Sequence, residues 1–170
     1  FLFFKAMNLE PIQKENLKKV LYTGACFTTL FTAYVAAQNL VSQIYSQLGY
    51  PRLGQVCLFT YFAFFASMSV FAPHLKKKLS TKAGLITGAG CHIAFVFAGA
   101  LTTFCNKYDF HGGFCNASFI PFFNILSAVC LGSGAALIWN CQATYVDECA
   151  DESTKGLFNG SFLVNLSDLS

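Results

Sequence analysis

The chain has 170 residues, of which 55% are hydrophobic and only 11% are charged, with 20 Phe and a net charge of +3. Because soluble domains carry about a quarter charged residues, this composition excludes an ordinary soluble domain and indicates a membrane protein.

Four apolar stretches dominate the chain, and a polar segment precedes them. The segment "NLEPIQKENLKK" (8–19) predicts a short surface helix. Each apolar stretch has the roughly 20 residues that a hydrocarbon core about 30 Å thick requires, and none contains Lys, Arg, Asp or Glu. Runs such as "YFAFFASMSVFA" do not alternate in polarity, so the spans are helices and not barrel strands. The predicted spans are residues 20–42, 55–74, 84–104 and 120–143.

Gly, Pro and charged residues concentrate between these spans, in "LGYPRLG" (48–54), "APHLKKKLSTK" (72–82) and "NKYDFHGGFCN" (106–116). A fifth apolar segment, "GLFNGSFLVNLSDLS" (156–170), has 15 residues, too few to span at 1.5 Å each. The start, "FLFFKAM", has no initiator Met. We therefore expect a sequence that is incomplete at both ends.

The lysines define a predicted orientation. With the N-terminus in the cytosol, nine basic residues lie on that side, and only Arg52 and Lys107 lie on the other. The net charge therefore reflects topology, and no nucleic-acid partner is expected. A contact between "HLKKK" (74–78) and anionic lipid stays open, although dedicated patches usually hold four to eight basic residues. The nine residues are Lys5, Lys14, Lys18, Lys19, Lys76, Lys77, Lys78, Lys82 and Lys155.

The eight cysteines contain no CxxC pair, and five lie singly within spans, where small packing residues are expected. Cys105 and Cys115 differ, because they flank the predicted outer loop. A disulfide there would contribute about 2 to 3 kcal/mol in an oxidising compartment, and the sequence leaves bridged and free forms equally open. The same loop carries "NAS", which makes Asn116 a candidate glycosylation site. We interpret the sequons at Asn159 and Asn165 as chance matches.

Motifs for catalysis, metal ligation or cofactor binding are absent from the sequence, so no enzyme, metal or cofactor is predicted. "TGAGCH" (87–92) lies within a span with no preceding strand and is not a phosphate loop. The small residues instead favour close helix packing, either within this chain or against a partner. For His92, a neutral side chain bonded to a neighbouring helix is favoured over a proton relay. The predicted packing residues are Gly84, Gly88, Gly132 and Gly134, with Ala135 beside them.

A polar stripe follows the first span. Tyr34, Gln38, Ser42 and Tyr45 fall within about 80° of one another at 100° per residue. Interhelical hydrogen bonds and a cavity lining explain this stripe equally well. Two further amides, Asn140 and Gln142, are about 200° apart on the fourth span. One of them is therefore expected to face a cavity and the other a neighbouring helix.

Three stretches resemble the uncoordinated-ninety-three-like family, a branch of the major facilitator superfamily known as ion-channel regulatory proteins. They are "AYVAAQNLVSQIYSQLG" (33–49), "LGSGAALIWNCQATYVDECA" (131–150) and "KGLFNGSF" (155–162), which are similar to the family's first-, fourth- and fifth-helix signatures. In the fourth-helix signature, where the family usually has W-T-A-Q-G, this chain has W-N-C-Q-A at residues 139–143. The loop at 72–82 lacks the superfamily's G-x-x-x-D and Arg, so no gating interaction is carried over.

The resemblance implies a fold as well as candidate residues. We expect an all-α polytopic membrane protein, the N-terminal part of a major-facilitator-like helical bundle with four full transmembrane helices and an incomplete fifth. Residues 1–19 form a cytosolic segment, and residues 20–170 form the transmembrane domain. Helices one and four line the cavity of that superfamily, which predicts that Gln38 and Gln142 face each other. The candidate cavity or partner-binding residues are Tyr34, Gln38, Asn39, Ser42, Trp139, Asn140 and Gln142.

Three functions follow as expectations. The resemblance implies a non-catalytic regulator or escort of another membrane protein, as relatives act on potassium channels and on innate immune receptors. The alternatives are a solute transporter and a structural subunit of a membrane complex. A coupled transporter is expected to place an ionisable group at depth, where only His92 qualifies. The predicted partners are the bilayer and another integral membrane protein, and no solute is identified. The plasma membrane or an endomembrane is favoured, and an organellar membrane stays open.

Overall fold

A computed structural model describes residues 10–76, 78–108, 115–116 and 118–167 of the chain. These residues form five helices: α1 (Pro11–Gln47), α2 (Leu53–Lys76), α3 (Thr81–Lys107), α4 (Phe119–Cys149) and α5 (Lys155–Ser167). The first four are long and apolar enough to cross a membrane. The predicted all-α fold and the four predicted spans are therefore confirmed. Lys77, His111 and most of the predicted outer loop lie outside the described residues.

The prediction of a separate surface helix before the first span is wrong, because α1 continues without a break from Pro11 to Gln47. Pro11 takes the first helical position, where its missing N–H is not needed. The following residues contain no Gly or Pro until Gly24, so nothing ends the helix at the membrane boundary. Glu15 and Lys19 form an i,i+4 ion pair at 3.1 Å on this extension. At 1.5 Å per residue, α1 is about 55 Å long and extends well beyond a hydrocarbon core.

Local backbone and side-chain interactions set the helix boundaries within the loops that the sequence predicted. Gly49 follows α1 with a φ of +83°, a conformation that glycine adopts without strain. The Ser80 side chain caps α3 by accepting a hydrogen bond from the backbone N–H of Ala83 at 3.3 Å. Before α4, the Asn116 side chain accepts a hydrogen bond from the backbone N–H of Ser118 at 3.2 Å. These turns allow consecutive helices to pack as neighbours.

The described chain forms two compact units. One unit is Tyr34–Cys141, in which glycines lie where helices approach each other closely. A Cβ atom on Gly54 of α2 would lie 2.7 Å from Ser42 Oγ of α1, and one on Gly99 of α3 would lie 2.8 Å from Val41 Cγ2. α4 has the largest buried share of the four spans, at 56% against 11% for α2. α4 is therefore the most buried of the four spans.

The other unit combines the chain before Tyr34 with the chain from Gln142 onward. Its core contains Phe27, whose ring meets the Phe162 ring edge-on with centroids 5.4 Å apart. Gln13 Nε2 donates a hydrogen bond to Asp151 Oδ2 at 3.1 Å, which ties the start of α1 to the loop before α5. In the same region, the hydrogen bond from Lys155 to the Glu152 carboxylate raises the pKa of the lysine ammonium.

Candidate functional site

The polar stripe of α1 lines a small cavity. Tyr34, Gln38 and Ser42 form one wall, and Gly54, Cys57 and Tyr61 of α2 form another, around a volume of about 30 Å³. Tyr34 is buried and Gln38 is half-buried, whereas Asn39 is exposed and does not line this cavity. A water molecule needs about 10 to 15 Å³ and two to four polar partners. The cavity therefore has the volume of about two or three water molecules.

Tyr34 is also part of an aromatic cluster with His92 on α3. The two rings meet edge-on, with centroids 5.4 Å apart and planes inclined at 82°. His92 is buried, and its Nδ1 lies 2.8 Å from the carbonyl oxygen of Gly88, so the proton on Nδ1 is donated to that oxygen. This hydrogen bond lies one turn away on the same helix, whereas the ring of His92 contacts Tyr34 on the neighbouring helix α1. The expected bond from His92 to a neighbouring helix stays a prediction.

The fourth member of the stripe, Tyr45, belongs to a separate buried network. Its hydroxyl donates a hydrogen bond to Asn124 Oδ1 of α4. Asn124 Nδ2 donates to Thr102 Oγ1 of α3 at 2.8 Å and to the carbonyl oxygen of Ile120 at 2.8 Å. These hydrogen bonds connect three helices through buried groups. Sequence reasoning missed Asn124 and Thr102, although an amide at membrane depth is itself a signal for an interhelical bond.

The candidate residues of α4 have different environments. Gln142 is buried, with 6% of its surface exposed, and Trp139 and Asn140 are half-buried. Asn140 Nδ2 donates a hydrogen bond to the carbonyl oxygen of Ala136 on the same helix at 2.8 Å. Gln38 and Gln142 belong to different compact units. Their predicted facing arrangement stays a prediction.

The four candidate packing glycines all meet another helix of this chain. A Cβ atom on Gly88 would lie 2.5 Å from Ile138 Cβ and 2.8 Å from the Gly134 carbonyl oxygen. One on Gly132 would lie 2.5 Å from the carbonyl oxygen of Tyr61 on α2. Added atoms on Gly84 and Gly134 would overlap Cys141 and Cys91, respectively. Of the two alternatives left open by the sequence, packing within the chain is the one that the structure shows for these glycines.

Cys105 and Cys115 form a disulfide with their Cα atoms 5.4 Å apart. The bridge joins the last turns of α3 to the residues just before α4. Disulfides form in oxidising compartments, and the orientation predicted from the lysines, which places this loop outside, stays a prediction. Asn116 follows the bridge directly and is exposed.

A second cavity, of about 200 Å³, lies among α2, α3 and α4. Its lining is mainly apolar, with Thr87 and Ser133 as hydroxyl residues, and includes three sulfur-containing residues, Met68, Cys91 and Cys130. The two thiols are 3.2 Å apart, Sγ to Sγ. Sequence reasoning treated both cysteines as single packing residues, because 39 positions separate them in the chain.

Comparison with known proteins gives a consistent set of relatives. The chain is 33% identical over 134 residues to "Protein unc-93 homolog A" of Mus musculus, a match that covers 78% of this chain and 25% of the relative. It is 33% identical over 132 residues to the protein of that name in Bos taurus, with 77% and 24% covered. The Homo sapiens protein is 32% identical over 132 residues, with 78% and 25% covered. No family model and no solved structure matches.

The chain belongs to the unc-93-like family. It spans about a quarter of the length of the curated relatives that it matches. The match covers most of the chain, as the helix signatures of the resemblance predicted, and together with the four apolar helices it identifies an integral membrane protein.

Proposed function

We propose that this unc-93-like chain is a non-catalytic membrane module that regulates, escorts or structurally supports another integral membrane protein. The observation that carries the proposal is the surface of α2. Only 11% of its span is buried, the smallest share of the four spans, although α2 carries many large apolar side chains. Most of α2 is therefore available to lipid or to protein.

One face of α2 has the form of a helix-packing surface. Phe59, Ala63, Ala66 and Val70 fall within about 60° of one another at 100° per residue. All four are exposed, with Phe59 at 76% and Val70 at 70%. Two small residues between two large ones allow another helix to approach the backbone closely, which is how helices associate in lipid. We call these four residues the α2 face, and we propose that a helix of the partner packs against it.

A photocrosslinking experiment tests the partner. A photoreactive amino acid replaces Phe59 on the α2 face in one variant and Ile86, which is 73% exposed on α3, in the other. In native membranes, the probe at position 59 should yield a discrete adduct with another membrane protein, whereas the probe at 86 should label lipid. Lipid adducts alone at both positions would contradict the proposal.

Matched substitutions distinguish a specific effect on the α2 face from a general disturbance of the helical bundle. Ala66→Leu places a large side chain on the α2 face, and Ala94→Leu adds the same volume at an exposed position of α3. We expect Ala66→Leu to abolish the adduct formed from position 59, and Ala94→Leu to leave it intact. Equal adduct yields in the two variants would show that the α2 face does not bind the partner.

The alternative function is a major-facilitator-type solute transporter. The observation in its favour is the cavity at Tyr34, Gln38 and Ser42, because polar groups at that position of helix one suit a substrate site. At about 30 Å³ the cavity takes water and not a metabolite, so transport requires a wider state. Reconstitution in liposomes decides between the two functions by measuring solute uptake. If Gln38→Ala abolishes uptake and Ala94→Leu preserves it, the transporter is favoured over the regulator.

A further inference from the structure

The sulfur-lined cavity among α2, α3 and α4 carries an inference that is independent of the proposed partner. We propose that Met68, Cys91 and Cys130 bind a soft monovalent metal ion, Cu(I), within this cavity. The three residues come from three helices and line one space of about 200 Å³. The described residues contain no cluster of three His, Cys, Asp or Glu side chains, so this site depends on a thioether as its third donor.

The donor atoms fit the chemistry of copper in its reduced state. Thiolate and thioether sulfurs are soft ligands that select Cu(I), whereas Mg²⁺ and Ca²⁺ prefer oxygen. The Sγ atoms of Cys91 and Cys130 already lie 3.2 Å apart, and the adjoining empty volume lets them separate around an ion. Close packing of Gly134 against Cys91 fixes the backbone on one side of the pair.

Charge also favours a monovalent ion here. An uncompensated charge at membrane depth is costly. When Cu(I) binds one thiolate, one thiol and the Met68 thioether, a single thiol proton leaves to solvent and the site stays neutral. The copper remains Cu(I) throughout, and no sulfur is oxidised. A divalent ion would need both thiolates to reach the same neutrality.

The position of the cavity matches the compartment that holds reduced copper. Phe71 and Leu75, near the end of α2, line the cavity and are exposed, at 59% and 47%. On the predicted topology this end of α2 faces the cytosol, where thiols stay reduced. The Cys105–Cys115 disulfide belongs to the opposite end of α3. The chain therefore has free thiols at the cavity and a bridge at the other end of the same helix.

Copper titration of the purified full chain in detergent, without oxygen, tests the site. Cu(I) is presented as its complex with a chromogenic chelator, and the fall in absorbance measures transfer. We expect transfer of about one equivalent to the unaltered chain, background transfer to Cys91→Ser and Cys130→Ser, and weaker binding by Met68→Leu. Cys26→Ser, at an exposed cysteine on α1, is the matched control and should bind like the unaltered chain.

A second measurement uses the unaltered chain and does not depend on how the variants fold. Alkylation followed by mass spectrometry should show that Cu(I) protects Cys91 and Cys130 while Cys26 stays reactive. Copper K-edge absorption should show sulfur ligands only. Copper retained by the Cys91→Ser/Cys130→Ser double variant, equal protection of Cys26, or equal retention of Zn²⁺ would each overturn the site.

Discussion

The contact between α3 and α4 offers the sharpest test of the packing, because α3 contains two glycines in opposite environments. A methyl group on Gly88 would lie 2.5 Å from Ile138 Cβ and 2.8 Å from the Gly134 carbonyl oxygen, and the latter is backbone that cannot rotate away. A methyl group on Gly90, half a turn further along, would meet nothing within 4 Å. Gly88→Ala and Gly90→Ala therefore make the same chemical change with different steric consequences.

The expected magnitudes follow from two terms. Replacing a helical glycine by alanine gains about 1 kcal/mol of helix propensity at either position. Overpacking at position 88 costs about 1 to 3 kcal/mol, because α3 and α4 must separate. We expect Gly90→Ala to raise the free energy of unfolding, and Gly88→Ala to fall below it by about 1 to 3 kcal/mol.

Unfolding by titration with dodecyl sulfate in mixed micelles measures this difference, followed by the fluorescence of Trp139, the single Trp of the chain. Comparing the two variants cancels the propensity term. If Gly88→Ala unfolds at the same point as Gly90→Ala, α3 and α4 are not packed at this register and the reasoning fails.

Three further predictions concern a buried hydrogen bond, the candidate glycosylation site and the topology. Tyr45→Phe leaves Asn124 Oδ1 without its donor and should lower the free energy of unfolding by about 0.6 to 1.7 kcal/mol in the same titration, whereas Tyr22→Phe, at an exposed tyrosine, should have no effect. Asn116→Gln should remove a glycosidase-sensitive mass shift of the chain expressed in eukaryotic membranes; an unchanged shift would place the glycan elsewhere. An impermeant thiol reagent added from outside should label the cysteine of His111→Cys and not that of Lys77→Cys. The reverse labelling pattern would contradict the predicted topology.

Composition and turn residues were enough to predict the helices, because membrane spans need only length and apolarity. The spans at 84–104 and 120–143 lie within α3 and α4, and the Ser80 cap and Gly49 turn fall in the predicted loops. The start of α1 was missed for a local reason: the segment 11–19 is polar but contains good helix formers, so polarity marked the membrane boundary and not a helix boundary.

The candidate site was harder to predict because it depends on the register between helices. Periodicity placed Tyr34, Gln38 and Ser42 on one face of α1, and the structure places them around one cavity. The periodicity gave no information on which residues of α2, α3 and α4 pack against that face of α1. Cys91 and Cys130 come together where α3 and α4 pack closely at Gly88 and Gly134, and nothing in either local sequence marks that pairing.

The packing of the glycines bears on where the proposed partner would bind. The sequence left open whether Gly84, Gly88, Gly132 and Gly134 pack within this chain or against another protein, and each of them meets a helix of this chain, so their close-approach sites are already occupied. What remains exposed on α2 is a face built from phenylalanine, valine and alanine. A partner on that face would gain contact area from the large side chains and close approach from Ala63 and Ala66, without hydrogen bonds. Such an interface tolerates exchange among apolar residues at positions 59 and 70 but not added volume at 63 and 66. That pattern distinguishes a bound helix from lipid, since fluid acyl chains adapt to either change.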